Sequence, residues 1–254
     1  MLRHISASGL YVSKPTWWLE SRFHFSFAEY YAPRNMEFGV LRVLNDDLVK
    51  PRSGFETHPH RDMEIFTYVV NGQLTHKDSL GTAETLERGC VQYMSAGRGV
   101  THSEKNKASN EMLRFLQIWI KPNRSGLTPN YGSRVFSKED RHNKLQHVAT
   151  SYDEYDGHGL HKDTGEGIIP MHQDVNIYVS EAEAGAVQEF VLQSKRQAYL
   201  VCIEGALSAN ESCNLTARDA LEIKSETMLS FSLKLEADNE KGCHFLLVEM
   251  AEEQ

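Results

Sequence analysis

A chain of 254 residues can form one large or two small domains and should bury about 70–75% of its extended surface, so folding does not depend on disulfides. Its composition of 40% hydrophobic, 24% charged and 9% aromatic residues excludes a disordered, collagenous or membrane-spanning chain. The 35 acidic and 27 basic residues give a net charge of −8 with no concentrated basic stretch, which argues against direct nucleic-acid binding.

Strand patterns follow one another through the first half of the chain. Residues 22–27 (RFHFSF) alternate, which would place three phenylalanines on one face of a strand. Residues 64–70 form a β-branched and aromatic run that ends at the turn pair Asn71-Gly72. Two further runs follow at 91–94 and 113–120. Because sustained amphipathic helical patterns are hard to find, the sequence predicts an all-β protein.

The second half repeats this organisation. Residues 64–72 overlay on residues 197–205, and both runs end in glycine, which suggests a duplicated small barrel. The stretch between the halves is rich in Gly, Asp and Asn, and is predicted to be a mostly irregular connector. The predicted domains are an N-terminal barrel at 1–135, a connector at 136–174 and a C-terminal barrel at 175–254.

Two residue pairs carry the candidate chemistry. Residues i and i+2 of a strand point to the same side, so His58 and His60 should project together. His102 and Glu104 repeat this spacing after the glycine-rich turn at 95–99. An isolated His-x-His is usually exposed on the protein surface and binds no metal. Two such pairs with a strand hairpin between them favour three imidazoles and one carboxylate converging on a metal ion.

The expected ligand set narrows the kind of metal site. No cysteine lies near either pair, which argues against a structural zinc site, whereas mixed imidazole and carboxylate ligands suit iron, manganese, nickel, cobalt, copper or zinc. With a divalent ion and an ionised Glu104, the site would keep about one positive charge, and an octahedral ion would keep two open positions. Such a site could bind an anionic oxygen ligand together with O₂, as a catalytic centre does.

The two motifs resemble those of a known family. The pattern G-x3-H-P-H-x3-E-x7-G spans Gly54 to Gly72, and G-x5-S-A-G-x4-H-x-E spans Gly89 to Glu104. Both resemble the cupin motifs of pirins, and the strings THPHRDMEIFTYVVNG and MSAGRGVTHSE are similar to the pirin versions specifically. The resemblance covers nearly the whole chain, is closest to the shorter bacterial quercetinase-like members, and weakens after about residue 155.

The resemblance implies a fold and a set of ligands. It implies two cupin barrels in one chain, with the pirin metal ligands falling on His58, His60, His102 and Glu104. Glu64 then becomes a supporting residue that orients a histidine or Arg98. Fe²⁺ is the expected ion, with Mn, Ni, Co, Cu or Zn as alternatives. In the overlay of the halves, His58 and His60 fall on Val191 and Gln193, so the second barrel is expected to be metal-free.

The implied activity is dioxygenation of a flavonol such as quercetin, with opening of its ring. Glu104 would accept the proton of the flavonol hydroxyl, and the partners would be an aromatic flavonol-like substrate and O₂. The alternative function is a regulatory protein that responds to its metal through a protein partner. The chain has no apolar run resembling a signal peptide and no C-x-x-C pair, so we expect a cytoplasmic protein with reduced thiols and no membrane association. We also expect a monomer.

Overall fold

The computed structural model describes residues 1–152, 167–225 and 230–252. The prediction of an all-β protein is confirmed, because the described residues fold into strands with a single turn of helix, α1 (Lys138–Arg141), and a 3-10 turn at Ala7–Gly9. Neither of these is long or apolar enough to cross a membrane.

The strands are numbered in chain order. The first twelve are β1 (Leu2–Ile5), β2 (Tyr11–Thr16), β3 (Leu19–Phe23), β4 (Leu41–Val49), β5 (Ser53–His60), β6 (Glu64–Asn71), β7 (Leu74–Asp78), β8 (Ala83–Leu86), β9 (Cys90–Ser95), β10 (Val100–Asn106), β11 (Leu113–Ile120) and β12 (Asn130–Val135). The others are β13 (Gln146–Ser151), β14 (Ile169–Met171), β15 (Val175–Ala182), β16 (Val187–Leu192), β17 (Arg196–Ala209), β18 (Cys213–Thr216), β19 (Ala220–Lys224), β20 (Phe231–Ala237) and β21 (Cys243–Ala251).

The chain divides into two compact units. The N-terminal barrel consists of Tyr11–Phe136 and the described residues of Asp156–Gln173. The C-terminal barrel consists of Met1–Leu10, the described residues of Ser137–Tyr155, and those of Asp174–Gln254. The first ten residues belong to the C-terminal barrel through β1, which pairs with β19.

The N-terminal barrel is made of two antiparallel sheets. One has the strand order β12-β9-β6-β11-β4-β3-β2 and the other β5-β10-β7-β8. The central strand β6 is buried from Glu64 to Val70, which explains its nearly continuous apolar sequence. It ends at the predicted Asn71-Gly72 turn, where Gly72 has φ +79° and an added Cβ would lie 2.6 Å from the carbonyl oxygen of Met112. Only glycine fits there.

The predicted strand at 22–27 is wrong in its second half. Strand β3 ends at Phe23, and the chain then curls, because the Ser26 hydroxyl accepts the N–H of Ala32 and donates to a backbone carbonyl. Burial therefore does not alternate along this segment, because Phe23, His24, Phe25 and Ser26 are all buried. His24 and Phe25 are both 2% exposed.

The C-terminal barrel is built around β17, the longest strand. Its first part pairs with β19 and β21, and its last residues pair with β18 and β20, so the strand passes from one set of strands to the other. The interior is a continuous apolar cluster that includes Leu200, Cys202, Phe245 and Leu247. Burial of this surface stabilises the barrel at about 25 cal/mol per Å² of apolar area.

Candidate metal centre

Three histidines meet at one end of the N-terminal barrel. Strands β5 and β10 pair antiparallel with His58 opposite His102. The Nε2 atom of His102 lies 3.1 Å from Nε2 of His58 and 3.0 Å from Nε2 of His60. One ligating atom from each of the three rings falls within 4.8 Å of the others. The structure thus brings together three of the four residues predicted as metal ligands.

The backbone near the site depends on a glycine. Gly54 of β5 has φ +147°, and a Cβ at this position would lie 2.3 Å from the carbonyl oxygen of Glu104. A larger residue would therefore push β5 away from β10. The pairing register also shifts between His102 and Glu104, as at a β-bulge. Bulges of this kind re-aim side chains next to functional sites.

The environment keeps the imidazoles of His60 and His102 neutral. Burial, with a smaller contribution from the neighbouring His58, lowers the pKa of His60 to about 4. Burial and the neighbouring histidines lower the pKa of His102 to about 2. At neutral pH these rings offer lone pairs, and three converging imidazole nitrogens are a donor set that suits a divalent transition metal. The residues present therefore fit such an ion.

Glu104 lies two residues beyond His102 on the same strand and is 2% exposed. Its Oε1 accepts a hydrogen bond from Gln92 Nε2 at 2.5 Å, and its Oε2 accepts one from Gln117 Nε2 at 3.2 Å. Burial and the nearby Asp47 raise the pKa of Glu104 to about 7. It is not part of the three-histidine group in the described residues. Its carboxyl group is instead held between two side-chain amides from β9 and β11, which belong to the other sheet of the barrel.

The two predicted supporting residues occupy different surroundings. Glu64 is fully buried, and its carboxylate accepts hydrogen bonds from Ser95 Oγ at 2.6 Å, from the Tyr93 hydroxyl, and from the backbone N–H of His172 at 3.0 Å. Arg98 has an exposed side chain, and its backbone N–H donates to the carbonyl of Leu127. The structure thus brings neither residue into the group of ligating atoms.

Several polar residues in the barrel interior were missed by the sequence reasoning. Each lies between two apolar residues of its strand: Thr67 in β6, Gln92 in β9 and Gln117 in β11. Thr67 hydrogen-bonds to both Gln92 and Gln117, and all three hydrogen-bond to Glu104. His76 and Asp78 in β7 were also missed, although they repeat the i, i+2 spacing of His58 and His60. Isolated polar residues in otherwise buried strands were the available signal.

Aromatic side chains flank the histidines on one side. The ring of Trp119 lies edge-on to His60, with centroids 5.0 Å apart, and Phe27 lies edge-on to Trp119 at 5.4 Å. A pocket of about 550 Å³ opens beside His60 and is bordered by Pro59, Arg61 and the start of β10. This volume lies within the roughly 300–1,000 Å³ of small-molecule sites.

Comparison with known proteins identifies the class of protein to which this fold and site belong. The pirin family profile matches residues 7–120, and the profile of the quercetinase C-terminal cupin domain matches residues 161–250. The prediction of two cupin domains in one chain is thereby confirmed. The chain is a double cupin with a histidine cluster in its first barrel.

The relatives are similar along most of their length. The quercetin 2,3-dioxygenase of Escherichia coli K12 is 38% identical over 213 residues, covering 84% of this chain and 86% of the relative. The pirin-like protein of Caulobacter vibrioides is 39% identical over 222 residues, covering 87% of this chain and 90% of the relative. The crystal structure of the bacterial pirin YhhW from E. coli in complex with nickel(II) superposes with a TM-score of 0.86 at 33% identity, over 100% of both chains. This chain belongs to the pirin family.

Proposed function

We propose that the protein is a metal-dependent dioxygenase of the quercetin 2,3-dioxygenase type, with one divalent ion, Fe²⁺, held by His58, His60, His102 and Glu104. The observation that carries the proposal is the convergence of three imidazole rings, each with a ligating atom within 4.8 Å of the other two. The proposal is also supported by a similar E. coli protein named quercetin 2,3-dioxygenase, and by a pirin structure that contains nickel.

The bound ion would supply Lewis acidity, which lowers the pKa of a coordinated hydroxyl, and open positions for the flavonol and O₂. The protein's contribution is the charge of the site. Because the imidazoles of His60 and His102 are neutral, they leave the positive charge of the ion available to an oxyanion.

Glu104 is the proposed acceptor of the flavonol hydroxyl proton. A carboxyl group with a pKa of about 7 is close to the value at which a general base both exists ionised and binds a proton well near neutrality. Gln92 and Gln117 fix the carboxyl plane, so its orientation does not have to be found during the reaction.

The aromatic residues beside His60 are the proposed support for the substrate. Trp119 and Phe27 form an apolar wall against which a flat aromatic ring system could pack. Removing part of this wall should weaken flavonol binding more than it weakens metal binding. We expect Trp119→Leu to raise KM several-fold while the metal content stays at the parent value.

The direct test is reconstitution of the metal-free protein under anaerobic conditions with Fe²⁺, Mn²⁺, Ni²⁺, Co²⁺ or Cu²⁺, followed by addition of quercetin and ¹⁸O₂. We expect loss of flavonol absorbance and incorporation of both labelled oxygen atoms into the product. His60→Ala should abolish turnover, whereas His142→Ala, an exposed histidine of the C-terminal barrel, should not. If no reconstituted form consumes quercetin faster than the free ion does, the protein is not such an enzyme.

A further inference from the structure

A fourth histidine lies inside the N-terminal barrel next to the cluster. His76 of β7 is 0% exposed, and β7 pairs with β10 so that His76 lies opposite Glu104. The ring centroids of His76 and His102 are 5.4 Å apart, and the other face of His76 stacks on Tyr131 at 4.3 Å. A fully buried imidazole in contact with a candidate metal ligand requires a physical explanation, since burying a polar group without a hydrogen-bond partner destabilises the fold.

Asp78 determines which nitrogen of His76 carries the proton. Its Oδ1 accepts the backbone N–H groups of Leu80 at 2.8 Å and Thr82 at 3.0 Å, and its Oδ2 lies 2.9 Å from Nε2 of His76. An ionised carboxylate only accepts hydrogen bonds, so Nε2 is the protonated nitrogen. The other nitrogen, Nδ1, is buried and has no hydrogen-bond partner among the described residues, as expected for a neutral ring whose one N–H proton is on Nε2.

Two buried atoms without partners then complement each other. Nδ1 of His76 and Nδ1 of His102 are both buried, and neither has a hydrogen-bond partner in the described part of the chain. When Nε2 of His102 gives its lone pair to a metal ion, Nδ1 of the neutral ring carries the hydrogen. One atom is then a donor and the other an acceptor. Two imidazoles joined by an N–H···N bond of about 3 Å have centroids about 5 Å apart, so the centroid spacing of 5.4 Å between His76 and His102 is compatible with such a bond.

We propose that His76 is a positioning residue of the metal centre, which accepts the Nδ1–H of metal-bound His102 while Asp78 holds it in the required tautomer. The chain of contacts runs from the ligand, through His76 and Asp78, to the backbone of the turn after β7. Such supporting hydrogen bonds fix the orientation and basicity of metal-bound histidines. The inference rests on the metal centre proposed above but not on any oxygenase activity.

The first test is the affinity for Ni²⁺, measured by competition with a chromogenic chelator. Asp78→Asn is almost isosteric, and the N–H groups of Leu80 and Thr82 would hold the amide oxygen where Oδ1 now lies. The amide nitrogen would then donate to Nε2 of His76, and the proton of the His76 ring would move to Nδ1. The Nδ1–H groups of His76 and His102 would then be two donors facing each other. We expect affinity to fall about 10–100-fold. His76→Phe, which keeps a ring against Tyr131 but has no acceptor, should lose a similar factor.

Tyr131→Phe is the matched control, because it keeps the stacked ring and removes only the hydroxyl that donates to Glu84. Its Ni²⁺ affinity should stay within about twofold of the parent, far from the 10–100-fold loss expected for a supporting residue. If His76→Phe does not fold, the near-isosteric Asp78→Asn decides the question.

The second readout is spectroscopic and is not sensitive to a merely structural role. In the Co²⁺-loaded protein the Nδ1–H of His102 gives a paramagnetically shifted proton resonance, which should exchange slowly with D₂O in the parent and in Tyr131→Phe. It should be lost or exchange at least tenfold faster in Asp78→Asn. Equal affinities and equal exchange rates would overturn the proposal for His76 alone. A parent protein that takes up no Ni²⁺ would overturn the metal centre as well.

Discussion

The two barrels share a strand arrangement, but corresponding interior positions carry polar side chains in the first barrel and apolar side chains in the second. In the N-terminal barrel β5 ends at His60 and pairs with β10 so that His58 lies opposite His102. In the C-terminal barrel β16 ends at Leu192 and pairs with β20 so that Phe190 lies opposite Leu233. When the ends of β5 and β16 and these two cross-strand pairs are aligned, His58 and His60 correspond to Phe190 and Leu192. His102 and Glu104 then correspond to Leu233 and Leu235.

This comparison corrects the overlay made from the sequence. That overlay matched His58 of the first barrel to Val191 of the second. However, Val191 is 49% exposed, whereas Phe190 and Leu192 are 8% and 0% exposed. The true register differs by one residue, and in a strand a shift of one residue moves a side chain to the other face. The second barrel therefore fills these positions with apolar groups that offer no ligating atom.

The difference shows that the fold itself does not require a polar interior. Four apolar side chains pack well in one barrel, so the histidines and Glu104 in the other are not there for stability. Burying them has an energetic penalty, visible in the lowered pKa values of His60 and His102 and the raised pKa of Glu104. A bound cation would offset that penalty.

The largest effect should come from making the first barrel resemble the second. His102→Leu places at this position the residue type found at Leu233, and the variant should fold because the C-terminal barrel tolerates it. We expect Ni²⁺ affinity to fall by roughly 100-fold or more, since a ligand is lost rather than a supporting residue. Isothermal titration calorimetry measures this directly. His142→Leu, far from the cluster in sequence and exposed, should bind Ni²⁺ like the parent.

A change at the corresponding position of the second barrel tests whether its apolar interior serves stability alone. Leu233 is 0% exposed, so Leu233→Ala should lower the free energy of unfolding by about 2–5 kcal/mol through lost burial and a cavity. Urea unfolding followed by far-UV circular dichroism measures the loss in free energy of unfolding. The Ni²⁺ content per folded chain should not change. A loss of metal together with the loss of stability would show that the second barrel contributes to the centre.

A smaller effect concerns a second buried carboxyl group of the first barrel. Asp47 is 4% exposed, its carboxylate accepts a hydrogen bond from Ser21, and burial raises its pKa to about 7 from an ordinary 3.8. The folded protein therefore holds this proton between pH 4 and pH 7, where the unfolded chain releases it. The contribution of Asp47 to stability is full below pH 4 and is lost as the pH rises through 7.

Asp47→Asn removes the charge but keeps the oxygen that accepts from Ser21. In the metal-free protein we expect the melting temperature of the variant to exceed that of the parent by on the order of 5 °C at pH 8, and to match it near pH 4. Thermal scans of both proteins between these pH values test the sign. A parent-like decline with rising pH in the variant would assign that decline to another group.

Much of this architecture could be predicted from the sequence. Strand periodicity predicted the all-β fold, and the i, i+2 rule predicted that His58 and His60 project together, because these depend on local geometry alone. The turn at Asn71-Gly72 was predictable for the same reason. These features need no knowledge of which strands become neighbours.

The remainder depends on strand pairing, which local patterns do not encode. His76 lies beside His102 only because β7 pairs with β10, and Glu104 meets Gln92 and Gln117 only because three strands face the same interior. The end of β3 at Phe23 depends on hydrogen bonds of the Ser26 hydroxyl to residues further along the chain. Such contacts are set by the tertiary structure and not by the period of the sequence.

The most direct measurement is an anomalous-difference crystal structure of the protein loaded with Ni²⁺. We predict a single peak at the cluster, about 2.0–2.2 Å from one nitrogen of each of His58, His60 and His102 and from one oxygen of Glu104. A peak at another place, or three histidines left without an ion while Glu104 keeps both of its amide hydrogen bonds, would contradict the account.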